Sequence, residues 1–163
     1  MLLREAEKKD IPELADLMGE LGYPTETKAM EERFAKIAVH PDYHTIVAEK
    51  DAELVGMIGM FRGLSYEKDE PYIRIIALVV KEEVRNRKIG QQLLEQAEGW
   101  ASRQGVRKLA VNTGKRRVES HLFYKNRGFE ETGAGFYKSL EKKEEFKWKS
   151  ENWQQRTLRN IGL

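Results

Sequence analysis

Two periods of apolar and polar positions run through this chain. Ile11, Leu14, Leu17, Met18 and Leu21 recur at three- and four-residue spacing, the stripe of a helix packed on one face. Asp10 stands where a helix cap belongs, Pro12 falls in the first turn, and Gly22 follows the last apolar position. After Tyr23-Pro24-Thr25, the positions Met30, Phe34, Ile37 and Ala38 mark the inward face of a second helix ending near Val39. Leu2 to Ala6 reads as a strand, and Ile46-Val47-Ala48 with Leu54 to Phe61 as a hairpin around Asp51-Ala52-Glu53. Gly63 to Pro71 is a polar loop.

The unbroken run Ile75-Ile76-Ala77-Leu78-Val79-Val80 predicts a buried strand. A basic turn follows, Val84-Arg85-Asn86-Arg87-Lys88, and then a helical stripe of Ile89, Leu93, Leu94, Ala97, Trp100 and Ala101 that Gly105 stops. A strand at Leu109-Ala110-Val111, a helix from about Val118 to Asn126 and a last hairpin from Gly128 to near Tyr137 complete the pattern. A strand that feeds a turn and then a helix makes an anion site. The first amides of the helix have no partner inside it, and its dipole adds partial positive charge. Arg85, Arg87 and Lys88 add full charges, and Gly90 leaves room for a phosphate to approach the backbone. A ligand with a pyrophosphate suits such a turn. The chain has neither GxxxxGK[ST] nor a GxGxxG after its first strand, so neither nucleotide fingerprint explains it.

Composition narrows the classes. A chain of 163 residues suffices for one domain with a core. Charged residues make up 34% and the net charge is +2, a salt-rich surface without a strongly basic balance. There is no cysteine, hence no disulfide or thiol chemistry, and His40, His44 and His121 show no ligand spacing, so no metal site is expected. No apolar run reaches the length of a membrane span, and the first residues lack a signal-peptide stretch. A cytoplasmic location is the expectation.

Two motifs in register point further. Arg85-Asn86-Arg87-Lys88-Ile89-Gly90 after the strand, and Phe123-Tyr124-Lys125-Asn126-Arg127-Gly128-Phe129 later, resemble the two signatures of the GNAT superfamily of acetyl-CoA-dependent N-acetyltransferases. The resemblance covers roughly residues 2–140. It implies an α/β (α+β) fold: a single domain over 1–140 with a mixed central sheet, splayed between two central strands and flanked by helices. Residues 141–163 would then be a C-terminal helical extension. The departures are Lys88, where the family carries glycine, and Arg117 and Ser120, where many relatives carry Asn and Ala. If position 88 needs a left-handed backbone, a lysine costs on the order of 1 kcal/mol; otherwise the loop stays right-handed.

The resemblance also implies roles. Acetyl-CoA would be held by the backbone of Leu78, Val79 and Val80 and by Arg85, Asn86, Arg87, Lys88, Ile89, Gly90 and Gln91. Tyr124 is the candidate general acid, because a phenol can protonate a departing thiolate; packing with Phe123 and Phe129 as a core tyrosine is the alternative. No acid stands at Arg74-Ile75-Ile76-Ala77, where relatives place a glutamate base. A water chain, an amine arriving partly deprotonated, or His121 would fill that role. Tyr23, Glu26, Tyr66 and Glu67 are the candidate acceptor-binding residues, their carboxylates attracting a cationic amine; the alternative is a solvated loop. Lys115-Arg116-Arg117 either meets the adenosine 3′-phosphate or is solvated.

The implied activity is transfer of an acetyl group to a primary amine of a small molecule, in a ternary complex. Acetylation of a protein N-terminus or lysine, and a non-catalytic acyl-CoA-binding sensor, are the alternatives. Nucleic-acid binding through Arg103, Arg107, Lys108, Lys115, Arg116 and Arg117 ranks last, since no aromatics interleave with those charges. Trp148, Trp153 and Ile161 give the tail an apolar face, which packs either on its own domain or on a second subunit as a homodimer.

Overall fold

The computed structural model describes residues 1–133 together with 135, 136 and 138, and Met1–Phe129 forms a compact unit. Among the described residues the strands are β1 (Leu2–Glu5), β2 (Tyr43–Lys50), β3 (Glu53–Gly63), β4 (Tyr72–Val80) and β5 (Leu109–Val111). The helices are α1 (Ile11–Glu20), α2 (Thr27–Ala38), α3 (Ile89–Arg103) and α4 (Val118–Lys125). The sheet runs in chain order β1-β2-β3-β4-β5, antiparallel except for the parallel β4/β5 pair. It is the mixed sheet flanked by helices that the motifs implied. The last hairpin and the helical tail from 141 lie outside the described residues.

Each face of the sheet carries its own apolar cluster. Ile58, Met60, Ile73 and Ile75 meet Leu93, Leu94, Ala97 and Trp100 of α3. On the other face Val47, Leu54, Met57 and Val79 meet Leu14 and Leu17 of α1 and Met30 and Phe34 of α2. At about 25 cal/mol per Å² of apolar surface, these two layers are the main stabilising term. Ile37 is half-buried and Ala38 exposed, so the inward face of α2 is narrower than the spacing predicts. The β2/β3 turn is Asp51-Ala52, both at positive φ (52° and 66°), the two-residue geometry that matches strand twist.

Two helix ends depart from simple reading. Asp10 precedes α1, but its carboxylate does not cap that helix. It accepts the Glu7 amide at 2.8 Å and both Nη atoms of Arg4, at 2.7 and 2.9 Å. The partnered charge is the stronger attraction, and it draws the side chain away from the helix amides. At the other end of α1, Gly22 (φ 94°) lets the Tyr23 amide reach back to the Met18 carbonyl at 2.8 Å, as Gly22 predicts.

One irregularity shapes the sheet. Pairing of β3 with β4 steps from Gly59↔Ala77 to Met60↔Ile75, which leaves Ile76 as an extra residue on β4. Ile73 and Ile75 face the α3 layer before it; Leu78 and Val80 face that layer after it, and Val79 faces the α1 layer. The inward positions thus switch from odd to even at the bulge. Pairing of β4 with β5 stops there too, at Ile75↔Val111. A bulge bends and twists its strand, so β4 leaves β5 at Ile76 and the two strands part.

Candidate active site

Where β4 and β5 part, a cleft of about 110 Å³ opens. Ile75, Ile76, Ala77 and Leu78 of β4 form one wall, with Val111-Asn112-Thr113-Gly114 at the end of β5 opposite. Leu21 and Tyr23 after α1, Arg117, and Ser120 and Tyr124 of α4 close the rest. Leu78, Tyr23 and Tyr124, picked from the sequence for three different roles, line one cavity.

Tyr124 lies in both of the environments considered for it. Its ring meets Phe123 edge-on at 5.2 Å and Phe129 at 5.3 Å, and the residue borders the cleft. Burial pushes its phenol up to about 12, with the charge of Arg117 pulling the other way. The hydroxyl therefore holds its proton at neutral pH and is available as a donor.

Arg117 lies where sequence alone did not put it. Its Nη2 donates to the Leu21 carbonyl at 2.7 Å, and its guanidinium stands 5.9 Å from the centre of the Tyr23 ring. It joins the start of α4 to the end of α1 beside the cleft. His121 is likewise placed: its Nε2 lies 3.1 Å from the Gly114 carbonyl, and it does not line the cleft.

The basic turn reaches the start of α3 through two left-handed residues, Asn86 (φ 63°) and Lys88 (φ 64°). The right-handed alternative for Lys88 is thus excluded, and the lysine carries a backbone cost of about 1 kcal/mol. What the cost achieves is direction. Gln92 is the first residue of α3 whose amide meets a turn carbonyl, that of Lys88 at 3.0 Å. The amides of Ile89, Gly90 and Gln91, ahead of it, have no acceptor among the described residues. Arg87 and Lys88 are exposed beside them. Arg85 is partly engaged: its Nε donates to the Val80 carbonyl at 3.2 Å, and its Nη2 stands 3.6 Å from the Glu20 carboxylate. The Gln91 side chain donates to Glu95 at 2.9 Å and accepts from Arg127 at 3.4 Å.

Gly90 also has a packing neighbour that its motif does not suggest. A Cβ there would stand 3.3 Å from Phe123 Cε2 and 3.8 Å from Val80 Cγ2. The missing side chain makes room for a neighbouring ring.

A profile of the Acetyltransferase (GNAT) family matches residues 11–129, which includes both motifs and the cleft. The chain belongs to this family. Its similarity to the aminoalkylphosphonate N-acetyltransferase of Salmonella typhimurium is 32% identity over 124 residues, covering 76% of this chain and 78% of that one. A solved GNAT family acetyltransferase from Staphylococcus aureus has a TM-score of 0.74 at 30% identity, over 85% of this chain and 98% of that one. An aminoglycoside N-acetyltransferase solved in complex with CoA has a TM-score of 0.76 at 19% identity, over 85% and 93%; at that identity the likeness is one of fold.

This GNAT protein is an N-acetyltransferase, and acetyl-CoA is its cofactor. The residues present suit such a group: unpartnered amides and two exposed cations for a diphosphate, and an open strand edge beyond Ile76 for an extended arm. Of the four residues predicted for the acceptor, Tyr23 lines the cleft and the other three do not. Glu26 is exposed at the start of α2. Tyr66 and Glu67 are exposed in the loop before β4 and do not line the cleft. From Tyr72 to Ile75, the first cleft residue of the strand, β4 spans about 10 Å. Sequence reasoning also missed Asn112, Thr113 and Ser120. The substitutions at 117 and 120 were the signal available, since both positions depart from common family residues.

Proposed function

We propose that this acetyltransferase acetylates a primary amine of a small molecule by direct attack, with both substrates bound at once. The observation that carries this reading is the single cleft shared by the parted end of β4 and Tyr124. Its volume of about 110 Å³ suits a compact acceptor better than a folded polypeptide segment. The relative that acts on aminoalkylphosphonates supports a small-molecule acceptor.

Bound acetyl-CoA supplies an activated thioester. In this reading Arg87, Lys88 and the amides of Ile89, Gly90 and Gln91 hold its diphosphate, with Arg85 adding charge and Asn86 setting the turn. The backbone of Leu78, Val79 and Val80 would take the arm as an added strand. The amine nitrogen would then bond to the acetyl carbon as the C–S bond breaks. Tyr124 gives its proton to the departing sulfur, and its raised pKa keeps that proton in place until charge builds there. Among the described residues no carboxylate or histidine lines the cleft, so the amine's own proton would leave to solvent past Asn112, Thr113 and Ser120.

Thiol release from acetyl-CoA, screened against a panel of small amines, tests the proposal. Turnover with a small amine and none with peptide amines supports it. Tight acetyl-CoA binding by calorimetry with no thiol release from any amine would instead make the chain an acyl-CoA sensor.

A further inference from the structure

The cleft has an unusual charge for a site that takes amines. An ammonium group is drawn by carboxylates, yet among the described residues no Asp or Glu lines this cleft, and the only charged one that does is Arg117. A polycationic acceptor would meet repulsion here and find no acidic partner. The Arg117 guanidinium is also held in place. One Nη2 hydrogen goes to the Leu21 carbonyl, and the Tyr23 ring lies against the group. Among the described residues it has no carboxylate partner. An arginine has five N–H donors in a planar fork, so most of its donors remain for a ligand. Ser120 and Thr113 add hydroxyls along the same walls.

Building on the acetyltransferase reading above, we infer that the acceptor carries a compact anionic head at the end remote from its amine, and that Arg117 is the residue that recognises it. A phosphonate, a phosphate ester and a carboxylate share the required chemistry, an oxyanion that accepts a forked pair of N–H bonds. Anchoring at Leu21 and Tyr23 sets the fork before the ligand arrives, so little side-chain freedom is lost on binding. The head would then orient the amine toward Tyr124 and Leu78, with the bonds to Arg117 formed equally before and during reaction. Such contacts act mainly on KM. The similarity to an aminoalkylphosphonate N-acetyltransferase agrees with this charge logic without entering it.

The test compares amines of equal length that end in a phosphonate, a phosphate ester, a carboxylate or a methyl group, together with an aminoglycoside. Wild type should favour one anionic series over the methyl-ended amine by about 10²-fold in kcat/KM, the scale of a charged pair's loss. Which of the three heads ranks first identifies the source of the anion. Arg117→Gln should collapse that preference to within a few-fold, chiefly through KM. Arg117→Lys, which keeps the charge and loses the fork, should fall between. Calorimetry of the aminoalkylphosphonate with CoA-loaded protein should show the same ranking without turnover, and thermal unfolding of both variants reports on folding. Equal or better use of the methyl-ended amine or the aminoglycoside by wild type overturns the inference and leaves the acetyltransferase reading standing. Retention of the anion preference in both folded variants removes Arg117 from the role. Absence of thiol release with every amine overturns the underlying reading itself.

Discussion

Gly90 and Phe123, one from each of the two motifs, pack together: a Cβ on the glycine would stand 3.3 Å from the ring's Cε2. The motifs are thus neighbours in space as well as in pattern, and α3 and α4 meet through this pair. Gly90→Val places branched bulk against both Phe123 and Val80, and overpacking of this kind costs about 1–3 kcal/mol. A fall in the denaturation midpoint of that size, in protein without any ligand, is the expected result. An unchanged midpoint would mean that the ring yields freely and that the glycine answers to the cofactor after all.

Tyr124→Phe keeps the ring packed on Phe123 and Phe129 and removes the proton. Turnover should fall by roughly 10²-fold while acetyl-CoA affinity, measured by calorimetry, stays level. The pH profile gives a second check. A phenol pushed up to about 12 remains protonated well above neutrality, so wild-type kcat should show no alkaline loss from this group below about pH 11. An unchanged rate in the variant, with chemistry limiting, would return Tyr124 to a packing role.

Elements with a strong period were legible in the sequence; their edges and contacts were less so. The apolar run at β4, the α3 stripe and the three-residue β5 stand where the pattern puts them, because burial and period decide such segments. The residue pair Asp51-Ala52 marks the hairpin for the same local reason. What the pattern misses is relational. Arg117 reads as one of three surface cations, and only the fold brings it to the Leu21 carbonyl, 96 positions away. The acidic loop holding Tyr66 and Glu67 reads as an acceptor rim, yet neither residue lines the cleft. Gly90 follows its motif, but its immediate neighbour is an aromatic ring.

Arg4 grips Asp10 with two hydrogen bonds and also bonds Glu49 at 2.8 Å. The Asp10 carboxyl is 3% exposed, and hydrogen bonding from Arg4 holds its pKa below the usual value, against the pull of burial. Asp10→Asn should cost about 2–3 kcal/mol at pH 7 in denaturant titrations. A depressed folded pKa means stability that is present above the unfolded value near 4 and lost as pH falls through the lower folded one. The gap between wild type and variant should therefore narrow on going from pH 5 toward pH 2. A gap that widens in acid would be incompatible with this sign.

Lys88→Gly relieves the left-handed backbone, worth about 1 kcal/mol, and gives back roughly half of that through the greater freedom of unfolded glycine. A small rise in thermal midpoint is expected. Acetyl-CoA affinity should fall modestly at low salt and less at high salt, because one exposed charge leaves the diphosphate site. A lower midpoint would show that the lysine side chain contributes more to the folded state than its backbone costs.

Ile76 makes β4 a strand with one residue too many, and such a strand cannot lose it quietly. Deleting that residue would leave an unbroken ladder, with Met60 opposite Ile75 and Gly59 opposite Ala77 as before. Every later side chain would keep its face, Leu78 and Val80 toward α3 and Val79 toward α1. What would go is the surplus residue that separates β4 from β5, so the strand would straighten and pairing could run on past Val111. A single-codon deletion would thus spare both core layers and shut the cleft. The exposed loop from 64 to 71 could likewise gain or lose several residues at little cost to either layer. Ile76 serves neither layer, and it is the residue that keeps the site open.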